Sequence, residues 1–281
     1  MEQIAKNIYI ETGFPGVVLA AIRLKEGLLM VDSPFQLESQ RIWLSNVNDL
    51  GSGVKRLLIM LDTHVDRTLG LRAMESLVVG HVNACDIIKK RSTTVRGQDL
   101  DVGAECESYA FPLNIRWKVP DMTYSESLYI HWDDDPVILA YHPGAHQAAT
   151  WLQYDAEKIV FVGDSVMVNQ PPFLQRSDLE LWINDLENLL SDSFKGYKII
   201  SSRNGLVSKK LIDKWMKFLI LVKDTIEEVA SQSGETSDLI AEVPNLLKKL
   251  NFNKNLSRLY SDRLTWGLET YFNQHFLKVN H

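Results

Sequence analysis

Alternation of apolar and polar residues marks the first third of the chain as strands. Asn7 to Thr12 and Val17 to Leu24 are β-rich runs separated by Gly13-Phe14-Pro15-Gly16, and Glu26-Gly27 turns the second into a third run, Leu28 to Asp32. The spacing predicts an antiparallel meander opening with the N-terminal residues. A helical pattern from Ser39 to about Leu50 leads through Gly51-Ser52-Gly53 into Val54 to Leu61, a near-continuous apolar run of the kind buried on both faces. Beyond a second helix-like unit and Leu77-Val78-Val79, strands are predicted again at Ser127 to Trp132, Val137 to Tyr141, Thr150 to Tyr154, Lys158 to Val162 and Tyr197 to Ile200.

Between the last two strands, Ser177-Asp178-Leu179-Glu180 has the form of a capping box, and Leu179, Trp182, Ile183, Leu186 and Leu190 fall on one helical face. From residue 207 the period is helical throughout: Leu211, Trp215, Phe218, Leu219, Val222, Ile226 and Val229 form one stripe, with further stripes in Leu239 to Leu250 and Leu259 to Phe276. The expected architecture is an α/β core over 1–206 and a helical C-terminal extension over 207–281. The extension's stripe is expected to bury against the core or to form a homodimer with a second copy.

Composition narrows the function classes. A hydrophobic fraction of 45% and a charged fraction of 23% are those of a globular protein, and the net charge of -6 gives no reason to expect a nucleic-acid or membrane partner. The two cysteines, Cys85 and Cys106, form no CxxC or Cys/His pattern, which argues against a thiolate metal site. The N-terminus lacks the basic start and apolar run of a secretory signal, so the expected compartment is cytoplasmic.

Chemistry concentrates where strands end. Asp62, His64 and Asp66 alternate just past the buried run, His142-Pro143-Gly144-Ala145-His146 follows another strand, and Gly163-Asp164 a third. Carboxylate oxygen and imidazole nitrogen suit zinc, manganese or iron. The same aspartates with Arg67 would equally make a buried ion-pair network holding no metal.

Order and spacing over residues 4 to 206 resemble the metallo-β-lactamase superfamily. Its members carry a His-x-His-x-Asp-His loop, a later His after a Pro-Gly turn, an Asp in a Gly-Asp pair and a final His. The resemblance implies a four-layered αββα sandwich. It places His64, Asp66, His146 and Asp164 at ligand positions, with Asp62 replacing the first His, Arg67 the His after the Asp, and Asn204 the final His. One divalent metal ion at Asp62, His64, His146 and Asp164 is then expected. The second ion is not, because a guanidinium neither ligates a cation nor tolerates one beside it. The implied activity is that of a mononuclear metal-dependent hydrolase acting on a small-molecule ester, lactone, thioester or phosphoester. Asp66 would orient water and Arg67 would stabilise developing negative charge as the catalytic pair. The alternative is a non-catalytic binding or scaffold protein with a degenerate site and no metal.

Overall fold

The computed structural model describes residues 1–51, 55–92, 101–110 and 115–277. Val54, the start of the predicted buried run, and Ser52-Gly53 before it lie outside the described residues.

Two mixed sheets face one another. The first runs in chain order, β1 (Glu2–Ala5), β2 (Ile8–Glu11), β3 (Leu19–Arg23), β4 (Leu28–Val31), β5 (Arg56–Ile59), β6 (Leu77–His81) and β7 (Met122–Tyr124). Its first four strands are the antiparallel meander, and β4 to β7 pair parallel. The second sheet has the order β13 (Gly205–Val207), β12 (Lys198–Ser201), β11 (Ile159–Phe161), β10 (Thr150–Tyr154), β9 (Val137–Tyr141) and β8 (Ser127–Ile130), antiparallel except for β11 and β12.

Period-two patterning explains the layers. In β3 and β4, Ala20, Ile22, Leu29 and Val31 meet Leu139, Leu152, Ile159 and Phe161 of the opposite sheet in the central core. Their neighbours Leu19, Ala21, Leu28 and Met30 point the other way, against Trp43 and Val47 of α1 (Leu37–Leu50) and Ala84 and Ile88 of α3 (Val82–Lys89). The outer face of the second sheet, with Trp151, Val160 and Ile199, is covered by α4 (Leu179–Leu190), α5 (Lys209–Ser231), α6 (Thr236–Leu247) and α7 (Ser257–His275). The result is an αββα sandwich. Between α1 and α3 lies the short α2 (Val65–Thr68).

The stripe of α5 is buried within the chain: Trp215, Phe218, Leu219, Val222 and Ile226 share one cluster with α4, α6, α7 and the second sheet. Leu211, predicted to be covered with them, is instead exposed, since it lies in the first turn of the helix beyond the edge of that contact. The capping signal before α4 is shifted by one residue. Asp178, not Ser177, accepts the Leu181 N–H at 3.0 Å, while the Ser177 hydroxyl donates to the Leu174 carbonyl. Gly144 allows α4 to approach, since a Cβ there would stand 2.4 Å from the Trp182 Cα. Among the described residues no helix is long and apolar enough to cross a membrane.

Candidate functional site

Chain continuity past the carboxyl ends of β4, β5, β11 and β12 delivers Asp32, Asp62, Asp164 and Arg203 to one rim, the usual place for a site in sheets with parallel strands. Backbone hydrogen bonds hold the two sheets together there: Val18 N–H donates to the Ser202 carbonyl and Thr150 N–H to the Leu61 carbonyl, each at 2.7 Å. The polar side chains gathered at the rim are almost wholly out of solvent; Asp62, His64, Asp66, Arg67, His146 and Asp164 are each at most 3% exposed.

Two guanidiniums organise this cluster. Arg67 donates through Nη1 to Asp62 Oδ2 at 2.8 Å and through Nη2 to Asp164 Oδ1 at 2.5 Å. Arg203 donates through Nε to both oxygens of Asp164, at 2.9 and 3.1 Å, through Nη2 to Asp164 Oδ2 at 2.9 Å, and through Nη1 to Asp66 Oδ2 and the Gly16 carbonyl. The remaining oxygen of Asp62 accepts the His64 backbone N–H at 2.9 Å. Every carboxylate oxygen of Asp62 and Asp164 is therefore engaged by an N–H donor.

The imidazoles differ in state. His64 Nδ1 stands 2.9 Å from Asp101 Oδ1 and Nε2 3.4 Å from Asp164 Oδ2, close enough for ion pairing, although neither contact has the angles of a hydrogen bond. Burial opposes charge on His64, but Asp101, Asp62 and Asp164 outweigh it and raise its pKa. His146 is the opposite case. Its Nδ1 accepts the Ala148 N–H and its Nε2 lies 3.0 Å from Thr63 Oγ1, so the ring is neutral and Nε2 donates to the threonine. Burial and the neighbouring His64 charge hold its pKa well below the ordinary histidine value.

The carboxyl groups are split as well. Burial would raise both Asp101 and Asp164, yet His64 next to the first, and Arg203 and Arg67 next to the second, hold them far below the usual carboxylate range. Asp32 accepts the Leu61 N–H at 3.0 Å, but its nearest guanidinium nitrogen is 3.9 Å away, and burial pushes it up to about 7.

Of the residues expected to hold a metal, Asp62, His64 and Asp164 offer ligand atoms within 4.8 Å of one another. His146 does not join that group: its ring lies 5.3 Å from that of His64, and its nitrogens are turned to Thr63 and the Ala148 N–H. Asp66 and Arg67 are present but committed to ion pairs. Asn204, the position expected for the final His, points elsewhere: its amide exchanges hydrogen bonds with the Val168 backbone, and Arg203 turns inward in its place. Asp101 and Arg203 belong to no motif, and Asp32 shows in the sequence only as the polar end of the run Leu28 to Asp32.

A lid closes the rim. Arg263 of α7, 1% exposed, stacks on the Phe173 ring at 4.0 Å and donates to the Gly103 and Pro171 carbonyls and to Gln170 Oε1. Gly103 at φ +75° is required for this docking, because a Cβ there would lie 2.4 Å from the Arg263 Cβ. The cavity left beneath, bordered by His64, His146, Phe173 and Trp266, measures about 10 Å³, room for one water.

No protein-family model and no curated protein matches the chain. Solved structures do. A metallo-β-lactamase from Pontibacter korlensis superposes with a TM-score of 0.59 at 17% identity, over 78% of this chain and 97% of its own. The DIM-1 metallo-β-lactamase gives 0.58 at 15%, over 78% and 96%. A stereoselective inverting sec-alkylsulfatase, Pisa1 from Pseudomonas sp., gives 0.68 at 12% and covers 99% of this chain, which spans half of that enzyme's length. At such identities the likeness speaks for the fold.

Proposed function

We propose that this chain, which has the metallo-β-lactamase fold, is a non-catalytic binding or scaffold protein in which two arginines stand where metal ions would be held. One observation carries the reading: all four oxygens of Asp62 and Asp164 are occupied by N–H donors, chiefly from Arg67 and Arg203. A divalent ion would have to displace permanently charged guanidiniums from buried carboxylates and then remain beside them. The donor set therefore does not fit a metal. With Arg67 fully buried and Arg263 over the rim, neither Asp66 nor Arg67 is placed to meet a substrate.

The metal-dependent hydrolase reading keeps one observation in its favour. Both ring nitrogens of His64 are buried without a hydrogen-bond partner, in the same group as Asp62 and Asp164. One experiment separates the two readings. Purified chain is incubated with excess zinc, manganese or iron(II), desalted, and assayed for metal by elemental analysis beside His64→Ala. The metal-free reading expects no stoichiometric ion in either protein. One equivalent retained by the native chain and lost in His64→Ala would overturn it and restore the hydrolase. The compartment we propose is the cytoplasm, consistent with Cys85 and Cys106 both being free thiols.

A further inference from the structure

We propose that the cavity between α5, the end of α6 and the 168–169 loop is a binding site for a small amphipathic anion, an alkyl chain bearing one carboxylate or sulfate. The inference uses none of the residues of the arginine cluster and holds whichever reading of that cluster is correct.

Helical periodicity builds the site. Lys214, Lys217, Phe218 and Leu221 follow i, i+3, i+4 and i+7 spacing and so share one face of α5. The floor is apolar: Trp215 and Phe218 stack with centroids 5.7 Å apart, and Val168 and Leu250 close the sides. The Trp215 indole is fixed, since its Nε1–H donates to the Ser165 carbonyl at 3.0 Å. The cleft, which opens to solvent, measures about 250 Å³. That is far more than the single water accommodated at the arginine cluster and admits a short alkyl chain.

Charge selects the occupant. In a chain of net charge -6, three lysines, Lys214, Lys217 and Lys249, border this one cavity, and no carboxylate lines it among the described residues. Lys217 is paired with Asp213 at 2.7 Å. Lys214 and Lys249 have no ion-pair partner among the described residues. An apolar concavity rimmed by two uncompensated ammonium groups suits a ligand with a greasy tail and a negative head. Neutral apolar molecules would leave the lysines unused, and small inorganic anions would leave the exposed Leu221 side chain uncovered.

The test is calorimetric titration with octanoate and octyl sulfate, both below their micellar concentrations, against 1-octanol and acetate as controls. The expected result is saturable binding of one equivalent of octanoate or octyl sulfate, with the preferred headgroup read from the two affinities. Both controls should bind at least about ten-fold more weakly. Lys214→Ala/Lys249→Ala changes two exposed, unpaired side chains, so its thermal midpoint should hold while affinity falls about ten-fold. Leu221→Asp, at a partly exposed position, should abolish binding. No saturable heat at low-millimolar ligand would overturn the proposal. So would equal affinity for 1-octanol, unchanged binding in both variants, or association only with anionic phosphatidylglycerol vesicles.

Discussion

Replacing Arg67 with alanine removes a fully buried cation from between Asp62 and Asp164 and leaves Arg203 as the only guanidinium, among the described residues, in contact with Asp164. Breaking one side of a buried ion network costs about 3–5 kcal/mol, because the charge left behind has neither water nor partner. For a chain of this size that corresponds to a fall of roughly 10 °C in thermal midpoint. The loss should depend on pH in a defined direction. Without Arg67 the buried Asp62 and Asp32 carboxyls gain further reason to keep their protons, so their folded-state pKa values lie above the unfolded ones. Their stabilising effect is then complete below the unfolded value, near 4, and is lost as pH rises through the folded values. The variant should therefore be closer to the native chain at pH 5 than at pH 8. The vacated carboxylate oxygens also give a divalent ion what the native cluster denies it. Zinc at about 100 times its dissociation constant would return about 2.7 kcal/mol to the variant and nothing to the native chain. Urea unfolding at both pH values, with and without zinc, measures all three quantities. A loss under about 1 kcal/mol at pH 8, equal losses at both pH values, and no zinc effect would together refute the view that Arg67 stands in for a metal ion.

Asp32→Asn should flatten stability between pH 4 and 7. The native carboxyl, raised to about 7 by burial, favours folding while protonated and loses that contribution as pH rises, whereas the amide still accepts the Leu61 N–H; pH-resolved chemical denaturation reads the slope. His146→Ala should cost about 1–3 kcal/mol at neutral pH through lost hydrogen bonds to Thr63 and Ala148, and should flatten the acid side of the stability profile, because the native ring stays neutral while the unfolded one takes up a proton as pH falls through the ordinary histidine range; an unchanged acid slope would show that the folded ring titrates as the unfolded one does. Arg263→Ala should raise hydrogen exchange at residues 101–108 and 168–175, which its side chain holds together, and unchanged protection there would show that α7 is not the cover.

The meander, the buried β5 run and the helical stripes could be read in the sequence because each is a periodic pattern seen by its own solvent boundary. Short elements were lost for the complementary reason. Neither β7 nor β13 exceeds three residues, too few to show a period, and α3 is helical largely because Ala84 and Ile88 find the outer face of the first sheet. At the site, the strand ends signalled Asp62, His64 and Asp164, which the fold brings within reach of one another. What spacing could not convey was which way a turn presents its residues. Gly205 at φ +67° follows a tight turn in which Arg203 faces in and Asn204 faces out, reversing the reading from motif position alone. Likewise His146 lies in the expected segment, but its ring orientation is decided by Thr63 and Ala148, partners far from it or set by local backbone geometry. Asp101 reaches His64 from a segment with no pattern of its own.

The lid formed by Arg263 also comes last in the order of synthesis. At synthesis rates of about 5–20 residues per second, the roughly sixty residues from Arg203 to Arg263 take about 3 to 12 s to emerge. Throughout that interval the rim is complete in sequence but uncovered. The cluster meets the delay with its own charge balance: Asp62, Asp66, Asp101 and Asp164 are opposed by Arg67, Arg203 and His64, whose pKa is raised by the acids around it, all encoded before α7. Nascent chains can thus neutralise their centre first and exclude water from it afterwards, so that the cover closes over paired ions rather than over bare carboxylates.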